Sequence, residues 1–227
     1  MTDEEILEDQ ATLKQGLCKV LQCLATISSA AAVVNPIFGV AGSLIRVVLH
    51  HVDDEDIRTL KREFGSVNRA LDKLSQVNRN TLALIQKETV DSQYCQVEEN
   101  LKDQFKMFMK MVEAPQKDRE QRKTDFMKRY SNDMGDQNLH TLYDGVVGTR
   151  KIFSQPILNV YLEHSQGDRQ TMEHLCTRLT YLFLIGLIAL MAFTAIIEDD
   201  EEEVRDSWSE RMEKVQEKMQ EALRSCK

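Results

Sequence analysis

Leu179 to Ile197 reads LTYLFLIGLIALMAFTAII, nineteen residues without a charge. Arg178 precedes it, and six consecutive acids, Glu198, Asp199, Asp200, Glu201, Glu202 and Glu203, follow it. About twenty apolar residues cross a hydrocarbon core of roughly 30 Å, so the segment has the threshold length of a membrane span. Its large apolar side chains are Leu179, Leu182, Phe183, Leu184, Ile185, Leu187, Ile188, Leu190, Phe193, Ile196 and Ile197. At a helix centre each contributes about −0.3 to −0.6 kcal/mol to insertion, on the order of −5 kcal/mol together. Thr180, Tyr181, Gly186 and Thr194 offset part of that, so insertion is permitted without being compelled. A helix apolar all round is either buried in protein or in a membrane. Three readings follow: the buried central helix of a bundle, a permanent single pass, and a conditional, toxin-like insertion.

Working outward, the closing stretch 204–226 reads as an amphipathic helix. Its apolar stripe is Val204, Trp208, Met212, Val215, Met219 and Leu223. Upstream, Gly167-Asp168 is a turn and cap, so one apolar helix is expected over 168–197. The acidic run 198–203 has two readings. As a gate, its mutual repulsion and the negative end of the preceding helix disfavour the ionised acids. Charged, the run then holds the helix out of a bilayer; protonated in an acidic compartment, it does not. As a cap, it is a solvated, solubilising surface.

The most regular periodicity lies between residues 54 and 114. Ile57, Leu60, Phe64, Val67, Leu71 and Leu74 step by three and four. In a heptad frame Ile57, Phe64, Leu71, Asn78 and Ile85 fall at a, and an a-position Asn is a known device for fixing register. The stripe resumes through Val90, Tyr94, Val97, Leu101, Phe105, Phe108 and Val112, with no Pro or Gly between Gly65 and Pro115. One long helix over 54–114 is expected, with a break near Asp91-Ser92 as the alternative. Residues 115–123, charged and opening on Pro115, read as a mobile connection. Phe126, Tyr130 and Met134 mark a helix ending at Gly135, and Asp136 is a candidate cap for the next.

The amino-terminal part reads as a helix from about Asp3 to Val34, followed after Asn35-Pro36 by a short one to Val48. Together these form an apolar, small-residue hairpin over 24–50. It is expected to lie beside the 179–197 helix, since both are too apolar for water. Its alternative is a second membrane-active element. The acids Asp53 to Asp56 after His50-His51 fit the first turn of the next helix better than a metal site.

The totals narrow the function. Three prolines, nine glycines and no sustained alternation give an all-α chain. A net charge of −8 argues against nucleic acid, which requires clustered cations. The start MTDEEILEDQ lacks the apolar core of a secretory signal, which points to the cytoplasm. Five cysteines without metal spacing fit reduced thiols there. The Gly145-Val146-Val147-Gly148-Thr149 stretch lacks phosphate-loop spacing. No catalytic motif is present, and neither enzyme activity nor a cofactor or metal is expected.

Five blocks carry a resemblance: NPIFGVAGSLIRVVLHHVDDED at 35–56, LKREFGSVNRALDKLS at 60–75, GDQNLHTLYDGVVG at 135–148, LCTRLTYLFLIGLIALM at 175–191 and VQEKMQEAL at 215–223. In these the chain resembles the rapunzel family of fish proteins. The resemblance implies association with skeletal and fin growth or with antiviral signalling, and it implies no catalytic residues. More loosely, the architecture is similar to cephalotoxin-like proteins and α-helical pore-forming toxins.

The expectation is thus an all-α, elongated bundle of long antiparallel helices with an apolar central helix and an apolar N-terminal hairpin, in one domain over 1–227. Its function is expected to be interaction with protein partners through helical surfaces, the face of Ile57, Leu60, Phe64, Val67, Leu71, Leu74 and Asn78 foremost. Self-association and membrane association are compatible with it.

Overall fold

The computed structural model describes residues 8, 11, 43–46, 48–49, 55–88, 92–149 and 155–227. Of the expected first helix only residues 8 and 11 are described, and of the hairpin over 24–50 only 43–46 and 48–49; all are helical. Asn35-Pro36, His50-His51, Asp53-Asp54 and the side chains of Ile57 and Leu60 lie outside the described residues.

The described chain is all-α. Its helices are α1 (Glu55–Val77), α2 (Arg79–Glu88), α3 (Ser92–Val112), α4 (Gln116–Asn132), α5 (Gly135–Val147), α6 (Ile157–His164), α7 (Arg169–Ile196) and α8 (Glu201–Arg224). Packing is organised around α7, which contacts α1, α3, α5, α6 and α8. Asp168 starts it by accepting a hydrogen bond from the Thr171 backbone at 2.7 Å. From Leu182 to Ala192 every residue of α7 is buried. A helix without a polar face has no side to turn to water, so each neighbour supplies an apolar stripe to it.

The closest approach is at Gly186. A Cβ built there would lie 2.5 Å from Leu139 Cδ2 of α5 and 2.9 Å from Leu101 Cδ2 of α3. Both leucines are themselves fully buried, so neither has room to move. The missing side chain is what lets three helices converge.

Aromatic rings carry the core outward. Ring centroids are 6.3 Å apart for Phe64 and Phe108, 6.2 Å for Phe108 and Phe126, and 6.0 Å for Phe126 and Tyr130. Tyr130 then stacks on Phe193 of α7 at 4.4 Å. On the far side, Trp208, Met212, Val215, Met219 and Leu223 are the buried stripe of α8.

Two expectations fail here. The 54–114 segment is not one helix. Residues 64 and 108 of a straight helix would be about 66 Å apart, yet their rings touch, so the chain doubles back between α1 and α3; the alternative of a break near Asp91-Ser92 agrees with α3 starting at Ser92. The stripes of α1 and α3 both belong against α7, which a single rod cannot achieve. Asn78 forms a second interruption: its side-chain amide donates to the Leu74 carbonyl at 2.8 Å, within its own helix and not across to a partner.

The segment 115–123 is not a connection either. It forms the N-cap and first turns of α4. Pro115 fixes the entry, and the Gln, Lys, Glu and Arg that follow are strong helix formers. Arg119 is buried there, its Nη1 donating to the Val48 carbonyl at 2.7 Å and its Nη2 to the Ala114 carbonyl at 3.2 Å.

Gly186→Ala tests the convergence at α7. In an uncrowded helix the change stabilises by up to about 1 kcal/mol. Here overpacking against Leu101 and Leu139 should reverse the sign and destabilise by about 1–2 kcal/mol net. A raised melting temperature would show that α7 is not packed this way.

Candidate functional site

One cluster of charge lies inside the bundle. Arg178 occupies the N-terminal third of α7 and is 3% exposed. It ion-pairs through Nη2 with Glu98 Oε1 of α3, and its Nε donates to the Ser75 hydroxyl of α1 at 2.9 Å. Lys102 reaches the same Glu98 oxygen at 2.7 Å. The Arg178 Nη1 is buried with no hydrogen-bond partner among the described residues. The Tyr94 and Tyr161 hydroxyls sit 3.3 Å apart beside the pair.

The electrostatics follow from this geometry. Burial pushes the Glu98 carboxyl up, but the Arg178 and Lys102 cations outweigh burial and hold it below its ordinary value. Burial also disfavours the Arg178 charge, and Glu98 with the two tyrosines more than reverses that. Both tyrosine hydroxyls are raised, chiefly by burial. The Cys176 thiol nearby is pushed up to about 12 by burial, the setting of an inert cysteine. Chemically the cluster is a lock. It joins α1, α3 and α7 and offers no nucleophile or base to solvent.

The acidic run divides between two helix ends. Only Glu198 and Asp199 follow α7, with Glu198 in the left-handed region at φ 57°. The Asp199 amide closes the end by donating to the Thr194 carbonyl at 3.1 Å. Asp200 is instead the N-cap of α8 and accepts from the Glu202 and Glu203 amides, each at 3.0 Å. Glu201, Glu202 and Glu203 form the first turn of α8. There the helix dipole favours negative charge. Glu201 also ion-pairs with Arg46. The premise that all six acids crowd a negative helix end is therefore corrected: four lie at a positive one.

The apolar segment residues Leu179, Leu182, Phe183, Leu184, Ile185, Leu187, Ile188 and Leu190 are buried; Phe193 and Ile196 are half-buried. Ile197 is exposed. Of the heptad face, Phe64, Val67, Leu71 and Asn78 are buried and Leu74 is half-buried. That face is turned inward, so it is core and not a free interface. The structure leaves other large apolar side chains exposed: Val77 at 61%, Leu84 at 49%, Met134 at 69% and Ile197 at 43%. Val77 and Leu84 fall at g in the same heptad frame, beside the buried seam. Met134 holds φ 50°, a left-handed conformation unusual for its type. Asp136 does not cap α5; it accepts from the Tyr130 hydroxyl at 2.6 Å.

Among the described residues no group of His, Cys, Asp and Glu is arranged to hold a metal. The Arg178–Glu98 pair left no periodic mark, because its partners are 80 residues apart. The one legible sign was an arginine at the edge of an otherwise apolar helix.

The lock gives two measurable outcomes. Arg178→Met leaves Glu98 buried without its main partner and should destabilise by about 3–5 kcal/mol, while Arg178→Met with Glu98→Met should recover most of it. Glu98 has a depressed folded value, so its contribution is full above pH 4.5 and fades as pH falls through that folded value. Melting temperature against pH should drop below pH 4.5, and Glu98→Gln should remove part of the slope. An unchanged slope would mean that the pair is not formed.

The comparisons agree with this architecture. A family model described as the cephalotoxin-like middle helical domain matches residues 51–227. Protein rapunzel of the zebrafish, Danio rerio, is 64% identical over 227 residues, covering 100% of each chain. No solved structure matches. The blocks that carried the resemblance, the full-length identity and the helical domain match converge on one statement: the chain belongs to the rapunzel family.

Proposed function

We propose that this chain is a non-enzymatic interaction protein, a helical bundle that binds other proteins through exposed helix surfaces and works in the cytoplasm. The observation that carries the reading is the placement of Val77, Leu84, Met134 and Ile197. The core has apolar partners for its helices, yet these large apolar side chains remain outside it, on helix surfaces and helix ends. Exposed apolar groups rimmed by charge are what protein interfaces are made of. The family resemblance connects this role to skeletal and fin growth or innate signalling. The acidic run serves it as a solvated cap that keeps the bundle soluble.

A second reading has one observation in its favour. α7 is long and apolar enough, over one 18-residue window, to cross a membrane. Insertion would require pulling that window, 72% buried, out of the bundle and breaking the Arg178–Glu98 pair. A lowered Glu98 value means that mild acid near pH 5 leaves this pair charged. Acid-triggered insertion is accordingly the weaker reading.

Two experiments separate the readings. A photo-crosslinking residue at Asn80 or Glu198, beside the exposed apolar side chains, should capture protein partners in cells, while one at the exposed Glu213 should not. Absence of adducts at both of the first two positions would sink the interaction reading. Carbonate-washed membranes should release the chain to the supernatant; retention in the pellet would establish the anchored form.

A further inference from the structure

The exposed apolar side chains fall into two patches, and the patches have opposite charge. The first is on α1 and α2. Val77 ends α1 and Leu84 lies seven residues on in α2; the Asn78 amide still donates to the Leu74 carbonyl at 3.2 Å and the Leu82 amide to the Asn78 carbonyl at 2.9 Å, which keeps the two close to one row with Ala70, Lys73 and Asn80. Residues 69–85 hold Arg69, Lys73 and Arg79 against a single acid, Asp72. All three cations are exposed. In a chain of net charge −8 this is a basic island.

The second patch is Met134 and Ile197. Residues 131–137 hold Asp133 and Asp136 and no cation; residues 197–203 hold six acids and no cation. Asp133 is paired with Arg129. Asp136, Glu198, Asp199 and Asp200 are exposed around the apolar pair. Met134 is four residues beyond Tyr130 and Ile197 four beyond Phe193, and those rings stack at 4.4 Å, which puts both side chains at one end of the bundle.

The patches cannot meet within one molecule. Ser75, two residues before Val77, is bound to Arg178, about a third of the way along α7. Phe193 is near its finish. At 1.5 Å per residue these points of α7 are about 22 Å apart, with the core between them. A basic apolar patch at the level of Arg178 and an acidic apolar patch beyond Phe193 are complementary only between copies.

We propose that the chain associates head to tail with a second copy of itself, the Val77/Leu84 patch of one molecule seated on the Met134/Ile197 patch of the next. This rests on the interaction reading and names its partner. The contact is heterologous, so it leaves a free patch at each end and continues into short chains or rings. Apolar contact supplies the attraction, and the opposed rims set the orientation and make association sensitive to salt.

Sedimentation of the full chain over a concentration series tests it. The wild type should grow from the 26.2 kDa monomer into dimers and longer species, and added salt should shift this toward smaller species. Val77→Glu with Leu84→Glu removes one patch, and Met134→Lys with Ile197→Lys removes the other. Each double variant should remain monomeric, with a circular dichroism spectrum matching the wild type, because the four positions are exposed. Mixed together, the two variants keep one intact patch of each kind and should form a one-to-one dimer that grows no further. A wild type that stays monomeric, variants that still associate alone, or a mixture that fails to dimerise would each overturn the proposal. If the wild type is monomeric while Asn80 and Glu198 still crosslink to other proteins, self-association alone is overturned. Loss of both removes the broader reading too.

Discussion

A helix that is apolar around its whole circumference cannot have a wet side, and the rest of the bundle is a response to that. From Leu182 to Ala192 α7 offers no polar stripe for water, and α1, α3, α5, α6 and α8 pack along the helix. Each of the longer ones brings one apolar row and turns its charges out. Covering helices must approach closely to leave no void, since interiors are packed to crystal-like density. Gly186 marks where that demand is greatest, with side chains from α3 and α5 occupying the space its own would fill. α4 reaches α7 by another means, the aromatic relay that ends in Tyr130 on Phe193.

Apolar contact is non-directional and would allow α7 to slide along its neighbours. The Arg178–Glu98–Ser75 lock removes that freedom. A shift of one turn, about 5.4 Å, would strand two buried charges. Such a pair adds little net stability beside an apolar replacement, and its effect is on which arrangements are excluded. The same logic places the acids after α7. Chain direction must reverse between α7 and α8, and Asp200 with its neighbours satisfies the free amides of the new helix. Charge at this junction is a consequence of capping.

Elements held by local period were legible in the sequence. The stripes of α1 and α8 and the apolar run of α7 announce themselves at steps of three and four, and the helical fold follows from them. What was not legible depends on long-range geometry. Nothing between Gly65 and Pro115 breaks a helix in the chemical sense of Pro or Gly, so the break near Asp91-Ser92 stood only as the alternative to one rod, yet the chain turns back because both of its stripes belong on α7. Residues 115–123 carry the charge of a loop and the propensity of a helix, and a buried Arg119 bonded to Val48 decided the matter. Asp136 has the chemistry of a cap and was taken instead by the hydroxyl of Tyr130. Arg178 was visible only as a flank, since Glu98 and Ser75 are brought to it by the fold.

The ends of the bundle are where these constraints stop acting, and that explains the surface. Along its length α7 is covered: Met172, Leu175 and Cys176, before Arg178, are still fully buried, and only past Phe193 does the cover thin, with Ile196 half-buried and Ile197 exposed. Val77 closes α1, and Met134 and Ile197 sit where α4 and α7 terminate. The charges sort by the same rule. Acids gather at the Met134 and Ile197 end because α8 begins there and its N-terminus favours them. α2 begins between Val77 and Leu84, yet its first turn holds no acid, and Arg69, Lys73 and Arg79 dominate the sequence there. An end-to-end polarity therefore arises from covering one apolar helix and capping the next. That opposition of charge is what the head-to-tail proposal draws on.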